Sequence, residues 1–117
     1  MKKILITGIN GFLGSHLAKS LKHKFEVIGL ANSIDNLYRL EGESFKVYSS
    51  KNDALETIFL ENDIFSILHV ATVYKRQDDP VLPLLKANIL LPIQLMELAV
   101  KNKVSVFVNT DTFFKPQ

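Results

Sequence analysis

Three glycines, Gly8, Gly11 and Gly14, stand at three-residue intervals in KILITGINGFLGSHLAKSL, Lys3 to Leu21, where an apolar run gives way to a helical pattern. Such a stretch has the means to grip a diphosphate. One glycine allows a tight turn, another lets the backbone approach the phosphate, and a third lets helix and strand pack closely. The helix behind them offers unsatisfied N–H groups and the positive end of its dipole to an anion. The spacing is Gly-x-x-Gly-x-x-Gly, not the Gly-x-Gly-x-x-Gly of the usual dinucleotide fingerprint, and by itself it also suits a purely structural turn. A dinucleotide reading requires a strand before it, a helix after it and further β-α units beyond.

The rest of the chain meets those conditions. Ile4-Leu5-Ile6 reads as a buried strand, and Leu13, Leu17, Ala18 and Leu21 repeat at helical spacing over Phe12 to Leu21. Further strands are expected at Phe25–Leu30, Phe45–Tyr48, Phe65–Ala71 and Val104–Thr110, with a short helix or loop over Asp35–Leu40. Asp53 is placed to cap a helix running to about Glu61, with Leu55, Ile58 and Phe59 inward. A polar loop, TVYKRQDDP, leads to a long helix from about Pro83 to Lys101. Near-continuous apolar strands alternating with helices imply an α/β fold, a doubly wound parallel sheet of about five strands with helices on both faces. Pro92 lies inside the long helix, so a bend is expected, either curving the helix around the sheet or aiming Asn88.

Composition narrows the function classes. The 117 residues are 47% hydrophobic and 22% charged, enough for one domain with its own core. A formal net charge of +2, with scattered lysines, argues against nucleic acid or a membrane surface as partner. The absence of cysteine removes disulfides, thiolate metal sites and cysteine nucleophiles, and it fits a cytoplasmic location. Neither a signal peptide nor an apolar run of the ~20 residues that span a bilayer is present.

The string TGINGFLGSHL resembles the extended short-chain dehydrogenase/reductases, the nucleotide-sugar epimerase/dehydratase branch, which carry Thr-Gly-x-x-Gly-Phe-(Leu/Ile)-Gly after the first strand. The resemblance implies a Rossmann-like fold in which Gly8, Asn10, Gly11, Phe12, Leu13 and Gly14 bind the cofactor. ILHVAT, Ile67 to Thr72, is similar to the family's fourth-strand motif, which implies that Val70, Ala71 and Thr72 line the cofactor. Asn88 matches the asparagine that opens the family's long helix. FVNTDTFF, Phe107 to Phe114, is similar to the fifth-strand end, which places Thr110 at the catalytic Ser/Thr position. Thr110-Asp111 resembles the Thr-Asp pair of the dehydratases, where the Asp is an acid for water loss; Asp111 also suits a turn cap. The eight residues NTDTFFKP are most similar to reductases of the CDP-abequose and paratose synthase type. His69, on a buried strand, is expected to pack as part of the cofactor wall rather than to catalyse. Tyr74, Lys75 and Arg76 either face substrate phosphates or belong to a solvated loop.

Cofactor choice rests on the second strand's end, where an acidic residue about 20 residues past the glycines would bind the ribose hydroxyls of NAD. Here GLANSID places Ala31, Asn32 and Ser33 there, with Asp35 late. Asn32 and Ser33 can donate to an extra phosphate and no carboxylate repels it, which leans towards NADP over NAD. Arg39 is the nearest cation.

The family resemblance also implies a Tyr-x-x-x-Lys pair that moves the proton. None of Tyr38, Tyr48 and Tyr74 has a lysine four residues on. Residues 1–117 are therefore expected to be the NAD(P)-binding N-terminal segment of a longer enzyme acting on a nucleotide-activated sugar, inactive alone, with catalytic helix and substrate domain elsewhere. A non-catalytic NAD(P)-binding sensor or interaction module is the alternative. In the family the helix containing Asn88 packs between subunits, which implies a homodimer.

Overall fold

A computed structural model describes residues 1–35, 37–71, 80–82 and 86–110 of the chain. Five strands, β1 (Lys3–Thr7), β2 (Glu26–Ala31), β3 (Lys46–Ser49), β4 (Ile64–His69) and β5 (Val106–Asn109), form one parallel sheet in the order β3-β2-β1-β4-β5. The helices are α1 (Phe12–Leu21), α2 (Leu55–Glu61) and α3 (Leu91–Lys101). A 3₁₀ turn covers Tyr38–Leu40 and a π-helical turn covers Lys86–Leu90.

The central strand shows why the strands read as apolar on both faces. Ile4 and Ile6 pack with Ala18 of α1, whereas Leu5 packs with Ile58 and Phe59 of α2 and Leu95 of α3. Successive side chains of a strand point to opposite faces, so a sheet covered on both sides has no position for a solvated residue. Each aliphatic side chain removed from water in this way contributes about 1.5–3 kcal/mol before conformational entropy is subtracted. Gly29 in β2 leaves room for the side chain of Ile9, which is fully buried behind the glycine turn. At the sheet's edge, Val106 and Val108 of β5 are exposed.

One local expectation changes. Asp53 does not cap α2, which begins at Leu55 after Ala54 without a side-chain cap. The carboxylate of Asp53 instead accepts the N–H of Ser49 at 2.8 Å and closes the β3–α2 loop. It stands one residue too early to reach the helix amides as an N-cap. Pro92 is the second residue of α3, directly after the π-helical turn. In a regular α-helix its ring would crowd the carbonyl of Asn88; the π-helical turn before it is wider than an α-turn, and such turns, like prolines, are where helices bend. Asn88 lies in that turn, exposed.

Candidate functional site

The sheet order creates a crevice. The chain builds β1, β2 and β3 outward in one direction, then returns to place β4 on the other side of β1. The loops after β1 and β4 therefore part at the carboxyl ends of the strands, the switch point at which doubly wound sheets take ligands. All three glycines of the opening string sit on one side of it.

Gly8 turns the chain with φ +66°, a left-handed conformation that costs side-chain-bearing residues about 1–2 kcal/mol. It also backs onto the turn after β4, since a Cβ on Gly8 would meet Ala71 Cα at 2.9 Å and Ala71 N at 3.0 Å. Gly14 lets α1 pack on the turn: a Cβ there would overlap the carbonyl oxygen of Gly8 and lie 3.0 Å from Ile9 Cα. Gly11 differs from both. Its backbone is extended, with φ −80° and ψ 175°, and the nearest atom to a Cβ would be Gly8 O at 3.2 Å. Among the described residues nothing beyond that one contact requires a glycine at position 11.

The start of α1 is open to an anion. Gly11 is its N-cap residue, no side chain caps it, and the first turn has no acidic residue. The N–H of Gly11 is used by Gly8 O at 2.9 Å and that of Ser15 by Gly11 O at 3.0 Å. Between them, the N–H groups of Phe12, Leu13 and Gly14 have no intrahelical acceptor, as in every helix's first turn. The dipole makes this end favourable for negative charge. Beside the bare amides, the side chains of Phe12 and Leu13 are 69% and 50% exposed, large apolar groups facing solvent at the mouth of the crevice. The open amides and the positive end of the dipole suit a negatively charged group here.

Around this turn the other candidate residues fall into groups. Asn10 lies in the glycine loop, and its carbonyl accepts from the Arg39 guanidinium at 3.2 Å. Arg39 also lies 4.8 Å over the Tyr38 ring, so the cation that sequence could not place stands beside the loop. Asn32 and Ser33 follow β2 directly. Ser50 Oγ donates to Asn32 Oδ1 at 3.3 Å, and Ser33 Oγ accepts the N–H of Asp35 at 3.1 Å. Val70 and Ala71 follow β4, and both their N–H groups are aimed at Thr7 Oγ1, at 3.1 and 3.2 Å. Thr110 follows β5 next to the end of β4: its N–H and its Oγ1 both donate to the carbonyl of His69, at 3.1 and 3.2 Å. Thr72, Tyr74, Lys75, Arg76 and Asp111 lie outside the described residues.

Two residues of the site were not singled out as binding or catalytic. Thr7 precedes Gly8 and is fully buried, with its Oγ1 2.7 Å from Nδ1 of His69. His69 is itself buried, which holds its imidazole below the ordinary pKa of 6.5 because the charged form loses hydration. The Thr-Gly in the opening string was the only sequence signal for Thr7. A recess lined by Glu61, Asn62, Asp63 and Asn102 lies at the amino ends of the strands and includes none of these residues. Among the described residues no group of three or more His, Asp or Glu could hold a metal ion, and no helix is long and apolar enough to cross a membrane.

The same architecture is found in known proteins. A family model, the NAD dependent epimerase/dehydratase family, matches residues 4–115. The chain is similar to the CDP-abequose synthase of Salmonella muenchen, 34% identical over 114 residues, covering 97% of this chain and 38% of that protein. It is also similar to the CDP-abequose synthase of Salmonella typhimurium, 26% identical over 114 residues, with 95% and 38% covered. Among solved structures, a UDP-glucuronic acid 4-epimerase from Bacillus cereus in complex with NAD superposes with a TM-score of 0.77 at 27% identity, covering 94% of this chain and 40% of that one. The chain thus spans 38% of the length of the two curated relatives. With a parallel five-stranded sheet, a glycine turn at its switch point and a match over nearly every residue, the chain belongs to the NAD dependent epimerase/dehydratase family.

Proposed function

We propose that residues 1–117 form the dinucleotide-binding part of an enzyme that acts on a nucleotide-activated sugar. The observation that carries this reading is the uncapped start of α1. Three amides without an intrahelical acceptor, a glycine N-cap whose Cβ would meet only Gly8 O among the described residues, and two exposed apolar side chains converge where the sheet order reverses. The amides of Phe12, Leu13 and Gly14 would hold the diphosphate, while Phe12 and Leu13 would be covered by the ligand. The turn at Val70 and Ala71 would form the opposite wall. A bound nicotinamide would supply the hydride chemistry. Thr110, at the end of β5, would position the sugar hydroxyl through its own hydroxyl, and Asp111 would act as an acid if the reaction loses water. Asn88 would complete the cofactor's surroundings from the long helix.

The end of β2 supports NADP over NAD. Ala31 closes the strand without a carboxylate, Asn32 and Ser33 follow it, and Arg39 lies against the glycine turn through the Asn10 carbonyl, where a guanidinium could pair with a ribose phosphate. The similarity to two CDP-abequose synthases supports a CDP-linked sugar and a reductase. The proton-transfer tyrosine and lysine would come from outside these residues, so this chain would bind the dinucleotide without turning over sugar.

Calorimetric titration of the chain with NADPH and NADH tests the first half. Binding of both, tighter for NADPH, is expected; no binding of either would remove the reading. Absorbance of NADPH with the intact gene product and a panel of CDP-, UDP- and dTDP-sugars tests the second half. Oxidation with one sugar class is expected, whereas cofactor binding with no sugar-dependent change would assign the protein as a non-catalytic NAD(P)-binding module.

A further inference from the structure

Thr7 and His69 face each other as register partners of β1 and β4, 0% and 3% exposed. A threonine hydroxyl has one proton to give and two lone pairs. The N–H groups of Val70 and Ala71 point at Thr7 Oγ1 from 3.1 and 3.2 Å, and an amide can only donate. Both lone pairs are taken. The hydroxyl proton therefore goes to the remaining neighbour, Nδ1 of His69 at 2.7 Å, which must be an acceptor. This count places the ring proton on Nε2 and makes the imidazole neutral. Through its carbonyl the same residue accepts from the N–H and Oγ1 of Thr110. One histidine thus joins the ends of β1, β4 and β5.

We infer that His69 is a positioning residue of the dinucleotide site: in its neutral form it orients Thr7, which holds the Val70–Ala71 turn against Gly8, and protonation releases that turn. An imidazolium would donate from Nδ1. Thr7 Oγ1 would then face three donors with two lone pairs, and its own proton would have no acceptor, so at least one of the two amides must leave. That amide belongs to the turn whose backbone lies 2.9 Å from where a Gly8 Cβ would stand. Burial also opposes the charge. Among the described residues nothing compensates it: β5 has no charged side chain, Lys3 is at the far end of β1, and Glu56 and Glu61 of α2 and Glu97 and Lys101 of α3 are exposed. The inference rests on reading the glycine turn as the dinucleotide site.

Two measurements test it. Nitrogen-15 spectra of the imidazoles at neutral pH, with His69 identified by its loss in His69→Asn, are expected to show a protonated Nε2 and a bare Nδ1; a protonated Nδ1 overturns the inference. NAD affinity is then followed with falling pH, NAD being chosen because its diphosphate stays ionised throughout. The native chain is expected to lose roughly tenfold or more, about 1.4 kcal/mol. In His69→Asn the amide oxygen can accept from Thr7 but does not titrate, so the variant is expected to show no loss between neutral and acid pH, each affinity being compared with that variant's own value at neutral pH. Equal acid losses in both proteins overturn the inference alone. Absence of NAD binding at every pH overturns the dinucleotide reading and this inference with it.

Discussion

The carbonyl oxygen of Gly8 occupies the place where a Cβ of Gly14 would stand, and the carbonyl carbon lies only 2.8 Å from it. The two glycines are thus one packing unit, the contact that lets α1 start directly on the turn after β1.

The three glycines should therefore separate by assay. Gly14→Ala forces backbone apart and is expected to destabilise the chain by about 3 kcal/mol, read from urea unfolding midpoints. Gly11→Val meets one contact and no positive φ, so its stability should stay within about 1 kcal/mol of the native chain. Its NADPH affinity should fall by roughly tenfold or more, because the side chain would stand where the phosphates approach. A Gly11→Val chain that binds NADPH normally would contradict the proposed site.

Arg39 gives a prediction about cofactor choice. If its guanidinium serves a ribose phosphate, Arg39→Ala removes a charge-assisted bond of about 1.5–3 kcal/mol for NADPH alone. NADPH affinity should fall roughly tenfold or more while NADH changes less than about threefold. Parallel losses for both would show that Arg39 acts only through its bond to the Asn10 carbonyl.

Acid should weaken the fold through His69. Its pKa is lowered in the folded state by desolvation, so the unfolded chain binds more protons and stability rises with pH. This contribution is complete above the ordinary value of 6.5 and is lost progressively as pH falls below it. Unfolding midpoints measured between about pH 7.5 and about pH 5.5, above most carboxylate titration, should decline more steeply for the native chain than for His69→Asn. Parallel declines would mean that the histidine is not the group responsible.

The outer face of α3 bears on assembly. Ile89 of the π-helical turn and Ile93, Met96 and Val100 of α3 are all exposed, Val100 at 82%, and their steps of four, three and four residues match the spacing of a coiled-coil seam. A second copy packed helix to helix would cover the stripe. Light scattering is expected to show dimers, and Met96→Lys with Val100→Glu should give monomers of unchanged helicity; a stable native monomer would exclude this assembly.

Much of this was legible in the residues alone, because burial on both faces of a parallel sheet leaves a local imprint. Apolar runs mark β1, β2 and β4, and the helical repeat of Leu13, Leu17, Ala18 and Leu21 matches α1 at both ends. The glycine string and the Thr110 region are likewise local, and they sufficed to indicate the family. What the sequence did not contain was adjacency. Thr7 and His69 are 62 positions apart, and their bond exists only because the chain passes back over the sheet to set β4 beside β1. Arg39 reaches Asn10 only because α1 and β2 fold back between them, whereas the bond from Ser49 to Asp53 is local, four positions apart. Periodicity reports which way a side chain points, whereas partners are chosen by strand order, which depends on how the whole chain buries its apolar surface.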